Sequence, residues 1–196
     1  RDFFNTIRDK GTLRARFATT TLLTLLSSII FYGVGDDEDE LAIQGGLTIL
    51  GIFSMSTGAV PILLTFTEER PVFIREAACE MYGAVPYFIS KTVIEVPLLI
   101  LQASIMWLIA YWLMGFTGFF FAFVLGTVLI SVSSSSVSLV VASLVTHGKQ
   151  AMELVPALFV PQILFAGFFI KMEFIPPFLR WIQYICGLKW GMNHFL

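Results

Sequence analysis

Residues able to do chemistry are few in this chain, and none is spaced for catalysis. Gly148-Lys149 is the nearest approach to a phosphate loop, but it lacks both the preceding glycine and the following hydroxyl. The two histidines, His147 and His194, are far apart in the chain, and no His-x-x-x-His or Cys-x-x-Cys spacing exists to hold a metal. The serine run Ser131, Ser133, Ser134, Ser135, Ser136 and Ser138 has no flanking glycines of the nucleophile-elbow kind. Ser131, Ser135 and Ser138 share one helix face, where each hydroxyl can bond back to the preceding turn, so helix packing is their expected role. The expectation is a chain that is not an enzyme, with no catalytic residue, metal or cofactor of its own.

The elements that must carry these residues are membrane helices. Of 196 residues, 57% are hydrophobic and 13% charged, and the mean hydropathy is +0.83. A soluble domain carries about 25% charged residues. The apolar residues are gathered into runs at 47–66, 96–114, 119–145 and 154–170, with a shorter one at 17–32. About 20 residues cross a bilayer, and the runs are continuous, which excludes the period-two pattern of a barrel strand. The predicted class is an all-α, polytopic membrane protein with helices at 17–33, 43–66, 85–114, 118–145 and 152–171. A cleaved signal at the first run is disfavoured because no small-residue cleavage site precedes the acidic loop.

Charge sets the orientation. Arg1, Arg8, Lys10, Arg14 and Arg16 precede the first run, and Asp36-Asp37-Glu38-Asp39-Glu40 follows it. Arg70, Arg75 and Lys91 lie between the second and third runs, and Lys149 follows the fourth. The alternation places the N-terminus in the cytosol. The tail with Lys171, Arg180 and Lys189 runs against the bias. Cys79 and Cys186 then fall on opposite sides and read as free thiols, with a bridge from Cys186 to another chain as the alternative.

Residues 1–16 read as an interfacial helix, with Phe3, Phe4 and Ile7 on one side and basic residues for anionic lipid heads on the other. Ser54, Ser56, Thr57 and Gly58 put small and hydroxylated residues in the second span, as at close helix contacts. In segment 68–83, Pro71 fits a first helical turn and Gly83 a position just past the end. Phe73, Ile74, Ala77, Ala78, Met81 and Tyr82 form an apolar stripe opposite Arg75, Glu76 and Glu80. Such a helix either docks to another protein or packs under its own membrane helices. Lys91 and Glu95, at i and i+4, are expected to pair along one helix face. Glu95 buried in the bilayer would instead imply a function. Pro156 and Pro161 kink the fifth span. Pro176-Pro177 opens an aromatic segment, 172–196, of the interfacial or re-entrant kind.

Two blocks resemble a known family. Glu69-Arg70-Pro71-Val72-Phe73-Ile74-Arg75-Glu76, followed by Met81-Tyr82, Tyr87-Phe88, Lys91 and Glu95-Val96-Pro97, is similar to the loop and third helix of G-subfamily ABC transporters. This is the white and pleiotropic-drug-resistance type. Phe165-Ala166-Gly167-Phe168-Phe169, Ile175-Pro176 and Trp181-Ile182-Gln183-Tyr184 resemble the end of their fifth helix and the outer re-entrant segment.

The resemblance implies an ABC-2 type exporter membrane domain with five of six spans in this sequence. Residues 1–16 would be the connecting helix and 68–83 the coupling loop, with Phe73, Arg75, Glu76, Glu80 and Tyr82 meeting a nucleotide-binding domain. That domain would bind ATP and Mg, and both it and the sixth helix would lie outside this sequence. A second membrane domain, in a homo- or heterodimer, would complete a central cavity. Thr57, Val160 and Leu164 would face that cavity, and Phe168 and Phe169 would form its outer gate, where the family often carries leucines. The implied function is ATP-driven export of lipids, sterols or other hydrophobic compounds by alternating access, most simply at the plasma membrane, with membrane lipids as partners and no nucleic acid. The alternative is a non-transporting scaffold or truncated fragment that binds a partner through the same loop. A passive channel fits poorly, since no charge accompanies the serine face.

Overall fold

The computed structural model describes residues 10–34, 40–79, 83–116, 118–145 and 148–164. Five helices account for nearly all of them: α1 (Lys10–Ile30), α2 (Glu40–Ala78), α3 (Ala84–Met114), α4 (Phe120–Leu144) and α5 (Gly148–Leu164). Among the described residues there is no strand, as expected where each backbone group must be satisfied within its own segment. Among the described residues, three helical stretches are long and apolar enough to cross a bilayer: Ala42–Glu76, Val85–Met114 and Phe120–Leu144. The apolar part of α5, Met152–Leu164, is shorter, and the described residues end there, inside the expected span 152–171.

α1 is apolar on the outside and polar on the inside. Thr20, Thr24, Ser27 and Ser28 are buried, while Leu22, Leu26, Ile29 and Ile30 are exposed. The spacing of four, three and one residues puts the hydroxyls on one helical face. Thr20 and Thr24 donate back to the Arg16 and Thr20 carbonyls at 2.9 and 2.7 Å, so these two hydroxyls enter an apolar interior with their bonds already made, whereas Ser28 Oγ is buried without a hydrogen-bond partner. This distribution suits a helix surrounded by hydrocarbon rather than water.

α2 is the central element and touches each of the other four helices. Its 39 residues extend about 58 Å at 1.5 Å per residue, nearly twice the roughly 30 Å of bilayer hydrocarbon. The chain does not start a new helix at Pro71. Both Pro61 and Pro71 lie inside α2, and Gly83 precedes α3 as its N-cap instead of ending a separate helix. Pro71 removes one helical bond, but the turn before it is held by three side-chain contacts to two other helices. Glu69 bonds Tyr87 and Lys91 of α3, and Arg70 bonds the Val145 carbonyl at the end of α4. These contacts carry the helix through the proline.

α2 and α4 meet through small residues. A Cβ at Gly58 would stand 2.4 Å from the Ser131 carbonyl oxygen, so only glycine allows the two backbones this close. Ser131 uses the proximity to donate to the Ser54 carbonyl at 2.9 Å. Ser134, Ser135 and Ser138 are also buried in α4, which agrees with a packing role for the serine face. Larger side chains fill the space on both sides of this layer. At one end, Leu47, Leu50, Met106, Trp107 and Ile130 form a core, with the Trp107 and Phe123 rings stacked at 4.6 Å. At the other, Leu63, Ala142 and Val145 form a smaller one.

Two glycines with positive φ close the first end. Gly33 (φ 72°) follows α1 and Gly115 (φ 71°) ends α3, both in the left-handed region that glycine enters freely. The Gly33 amide donates to the Leu113 carbonyl at 3.2 Å, which ties the turn after α1 to the last turn of α3.

Candidate functional site

The polar residues of interest collect at the end of the bundle where α1 and α3 begin and α2 ends. Arg16, in the second turn of α1, reaches both neighbouring helices. Its Nε donates to Gln102 Oε1 at 2.9 Å, its Nη2 donates to the Thr57 carbonyl at 3.2 Å, and Nη2 also bonds the Glu95 carboxylate. Gln102 Nε2 donates to Thr20 Oγ1 at 3.1 Å, and Thr20 Oγ1 donates back to the Arg16 carbonyl. The network is closed: Arg16, Gln102 and Thr20 form a ring, with Glu95 and Thr57 attached to the guanidinium.

Pro61 explains why Thr57 takes part. In an α-helix the carbonyl of residue 57 accepts from the amide of residue 61, and proline has no amide hydrogen. The carbonyl is thereby freed, and an arginine from another helix fills the place. The side chains of Arg16 and Glu95 are only 10% and 17% exposed. A charge held there without a partner would be costly, and the pair together with its hydrogen bonds removes that cost.

A second pair lies toward the end of α2. Lys91 Nζ stands 2.6 Å from Glu69 Oε1 and 2.5 Å from Oε2. Tyr87 donates its hydroxyl to Glu69 Oε2 at 2.9 Å, and its ring lies 4.7 Å from that of Phe73 and 6.3 Å from that of Phe66. Lys91 and Glu95 therefore do not pair with each other. Each is drawn to a different helix, Lys91 to α2 and Glu95 to α1, because packing brings a partner closer than the flexible i,i+4 neighbour.

Between the two pairs opens a cleft of about 580 Å3. Arg16, Glu69, Lys91 and Glu95 line it together with Glu68. Apolar walls come from Leu13, Ile62, Phe66, Val96, Leu99 and Leu139, and Ser135 and Ser136 contribute from α4.

The residues expected to serve transport are placed as follows. Phe73 and Glu76 are half-buried and Arg75 is exposed near the end of α2; Glu80 and Tyr82 lie outside the described residues. Thr57 is half-buried, with its hydroxyl donating to the Ser54 carbonyl at 2.9 Å. Val160 and Leu164, 51% and 39% exposed, lie on the outer surface of α5. None of these three lines the cleft. Phe168 and Phe169 are beyond the described residues, as are Cys186, His147 and His194, whereas Cys79 is free and exposed. In the sequence Arg16 reads only as an orientation signal, and Gln102 carries no expectation. The available signal was an amide side chain, Gln102, in the middle of an otherwise apolar run.

The sequence lacks a phosphate loop, and among the described residues no three His, Cys, Asp or Glu side chains are grouped to hold a metal ion.

These features define a polytopic α-helical membrane domain whose central helix is long enough to emerge from the hydrocarbon layer. Residues 1–196 match the ABC-2 type transporter family, and the chain belongs to that family. Protein white of Ceratitis capitata is 26% identical over 196 residues, covering 97% of this chain and 29% of its own length. The ABC transporter ATP-binding protein/permease wht-1 of Caenorhabditis elegans is 28% identical, covering 97% and 29%. Pleiotropic drug resistance protein 1 of Petunia axillaris is 29% identical, covering 90% and 13%. The chain thus spans less than a third of the length of each of these relatives, and it is an ABC-2 type membrane domain similar to part of white and pleiotropic-drug-resistance transporters.

Proposed function

We propose that this chain forms the membrane-spanning part of an ATP-driven exporter of lipids, sterols or other hydrophobic compounds. The observation that carries the reading is the continuity of α2. One helix runs from the apolar core to Phe73, Arg75 and Glu76, so a push at its polar end is transmitted directly to the membrane layer. A nucleotide-binding domain, in the same polypeptide or a partner chain, binds ATP and Mg and presses on the segment 68–83 from the cytosol, the side of the N-terminus. Two membrane domains pair as a homo- or heterodimer, and α2 and α5 border the cavity between them with Thr57, Val160 and Leu164. Phe168 and Phe169 close its outer end. Tilting of α2 with nucleotide state then exchanges inward and outward access, most simply in the plasma membrane. The exposed faces of α5 at Val160 and Leu164 support this reading, because they offer apolar surface to a second copy or to a hydrophobic cargo.

Charge reversal at Glu76 and Glu80 to lysine tests the coupling. In the full-length protein the double variant should insert normally and lose ATP-dependent transport. Unchanged transport would overturn the role of this segment.

A further inference from the structure

The cleft at the charged end of the bundle is lined by none of Thr57, Val160 and Leu164, the residues proposed for the transport cavity, although Glu68 and Glu69 belong to the segment proposed for coupling. Three carboxylates, Glu68, Glu69 and Glu95, line it against two cations, Arg16 and Lys91. Both cations are already engaged, Arg16 by Glu95 and Lys91 by Glu69. Among the described residues, the charge left over is the carboxylate of Glu68, which is exposed at the cleft. An anion entering here would meet cations that are neutralised and a carboxylate that is not. A cation would meet the reverse.

The remaining walls favour a cation with an apolar body. Phe66, Tyr87 and Phe88 line the cleft, and aromatic rings attract cations through the quadrupole; the Tyr87 ring already holds Lys91 Nζ at 5.8 Å from its centroid. Leu13, Ile62 and Leu139 supply aliphatic surface. A volume of about 580 Å3 lies within the range of roughly 300–1,000 Å3 typical of small-molecule sites. We infer that this cleft binds an amphiphilic organic cation, with its charge toward Glu68 and its apolar body between α1, α2 and α4. The inference does not depend on the export reading, since it concerns binding at a site that Thr57, Val160 and Leu164 do not line.

The test uses radiolabelled tetraphenylphosphonium as probe, on the full-length protein in phosphatidylcholine nanodiscs. Saturable binding is expected, and Glu68→Gln should weaken it roughly fivefold, as for loss of one partly solvated charge contact. Thr65→Trp and Ser136→Trp place bulk into the cleft from exposed positions, and each should abolish binding while the protein stays monodisperse. Either variant alone suffices if the other fails to fold. Absence of saturable binding, or binding that all three variants leave unchanged, would overturn the inference. Equal saturable binding of the near-isosteric anion tetraphenylborate would overturn its charge selectivity.

Discussion

The guanidinium of Arg16 donates to the Thr57 carbonyl at 3.2 Å, the carbonyl for which Pro61 has no amide to offer. A proline in one helix and an arginine in another thus solve a single problem. The freed oxygen would otherwise sit in an interior with little water, where an unsatisfied polar group costs about 1–3 kcal/mol. Binding it also fixes where α1 lies along α2.

Replacing Pro61 should therefore change what Arg16 contributes. Pro61→Ala restores the amide that the Thr57 carbonyl lacks. Removing Arg16 should cost about 1 kcal/mol less in the Pro61→Ala background than in the wild type. A double-mutant cycle on detergent-purified protein, read as thermal melting, measures the difference; strict additivity would contradict it.

The Arg16–Glu95 pair should respond asymmetrically to single and double substitution. Arg16→Met leaves Glu95 charged, 17% exposed and without its cation, and should destabilise by about 3–5 kcal/mol. Arg16→Met together with Glu95→Met removes both charges and should be clearly less damaging than the single change. The comparison is made by the temperature at which the monodisperse peak is lost in size-exclusion chromatography.

The other ion pair should matter less. Lys91 and Glu69 are 22% and 38% exposed, and solvent screens such pairs to about 1 kcal/mol or below. Lys91→Met is expected to lower the melting temperature far less than Arg16→Met does. A loss as large as that of Arg16→Met would mean that the pair lies deeper than its exposure indicates.

Much of this architecture was legible in the residues. The apolar runs around Leu47, Val96 and Phe119 marked α2, α3 and α4 because a bilayer imposes a minimum length on each helix. The serine face of α4 was legible from its spacing alone. Partner choice was not. Lys91 and Glu95 stand one turn apart and look paired, yet Glu95 bonds a residue 79 positions away, a distance in sequence that only helix packing can close. Pro71 misled for a related reason. It looks like a helix start, but contacts of Glu69 and Arg70 with α3 and α4 hold α2 together across it.

Close approach of α2 and α4 should be sensitive to one methyl group. Gly58→Ala places a Cβ against the Ser131 backbone, which can yield only if the helices separate. Separation also loosens the bond from Ser131 to the Ser54 carbonyl. A loss of about 1–3 kcal/mol is expected from overpacking of this kind, visible as reduced yield of folded protein and a lower melting temperature. Ala122→Gly, on the same helix as Ser131 but outside this contact, serves as the comparison and should show only the cost of a glycine within a helix, about 1 kcal/mol.

In the proposed mechanism, two such domains enclose a cavity that changes access with nucleotide state. The most direct measurement is the distance between spin labels at Val160→Cys in the two halves of the full-length transporter, with Cys79 and Cys186 replaced by serine. Pulsed dipolar spectroscopy in nanodiscs compares the nucleotide-free state with the ATP–vanadate-trapped one. A defined distance across the dimer is expected, shifting by several ångströms on trapping. A dipolar signal that is absent, or identical in both states, would contradict it.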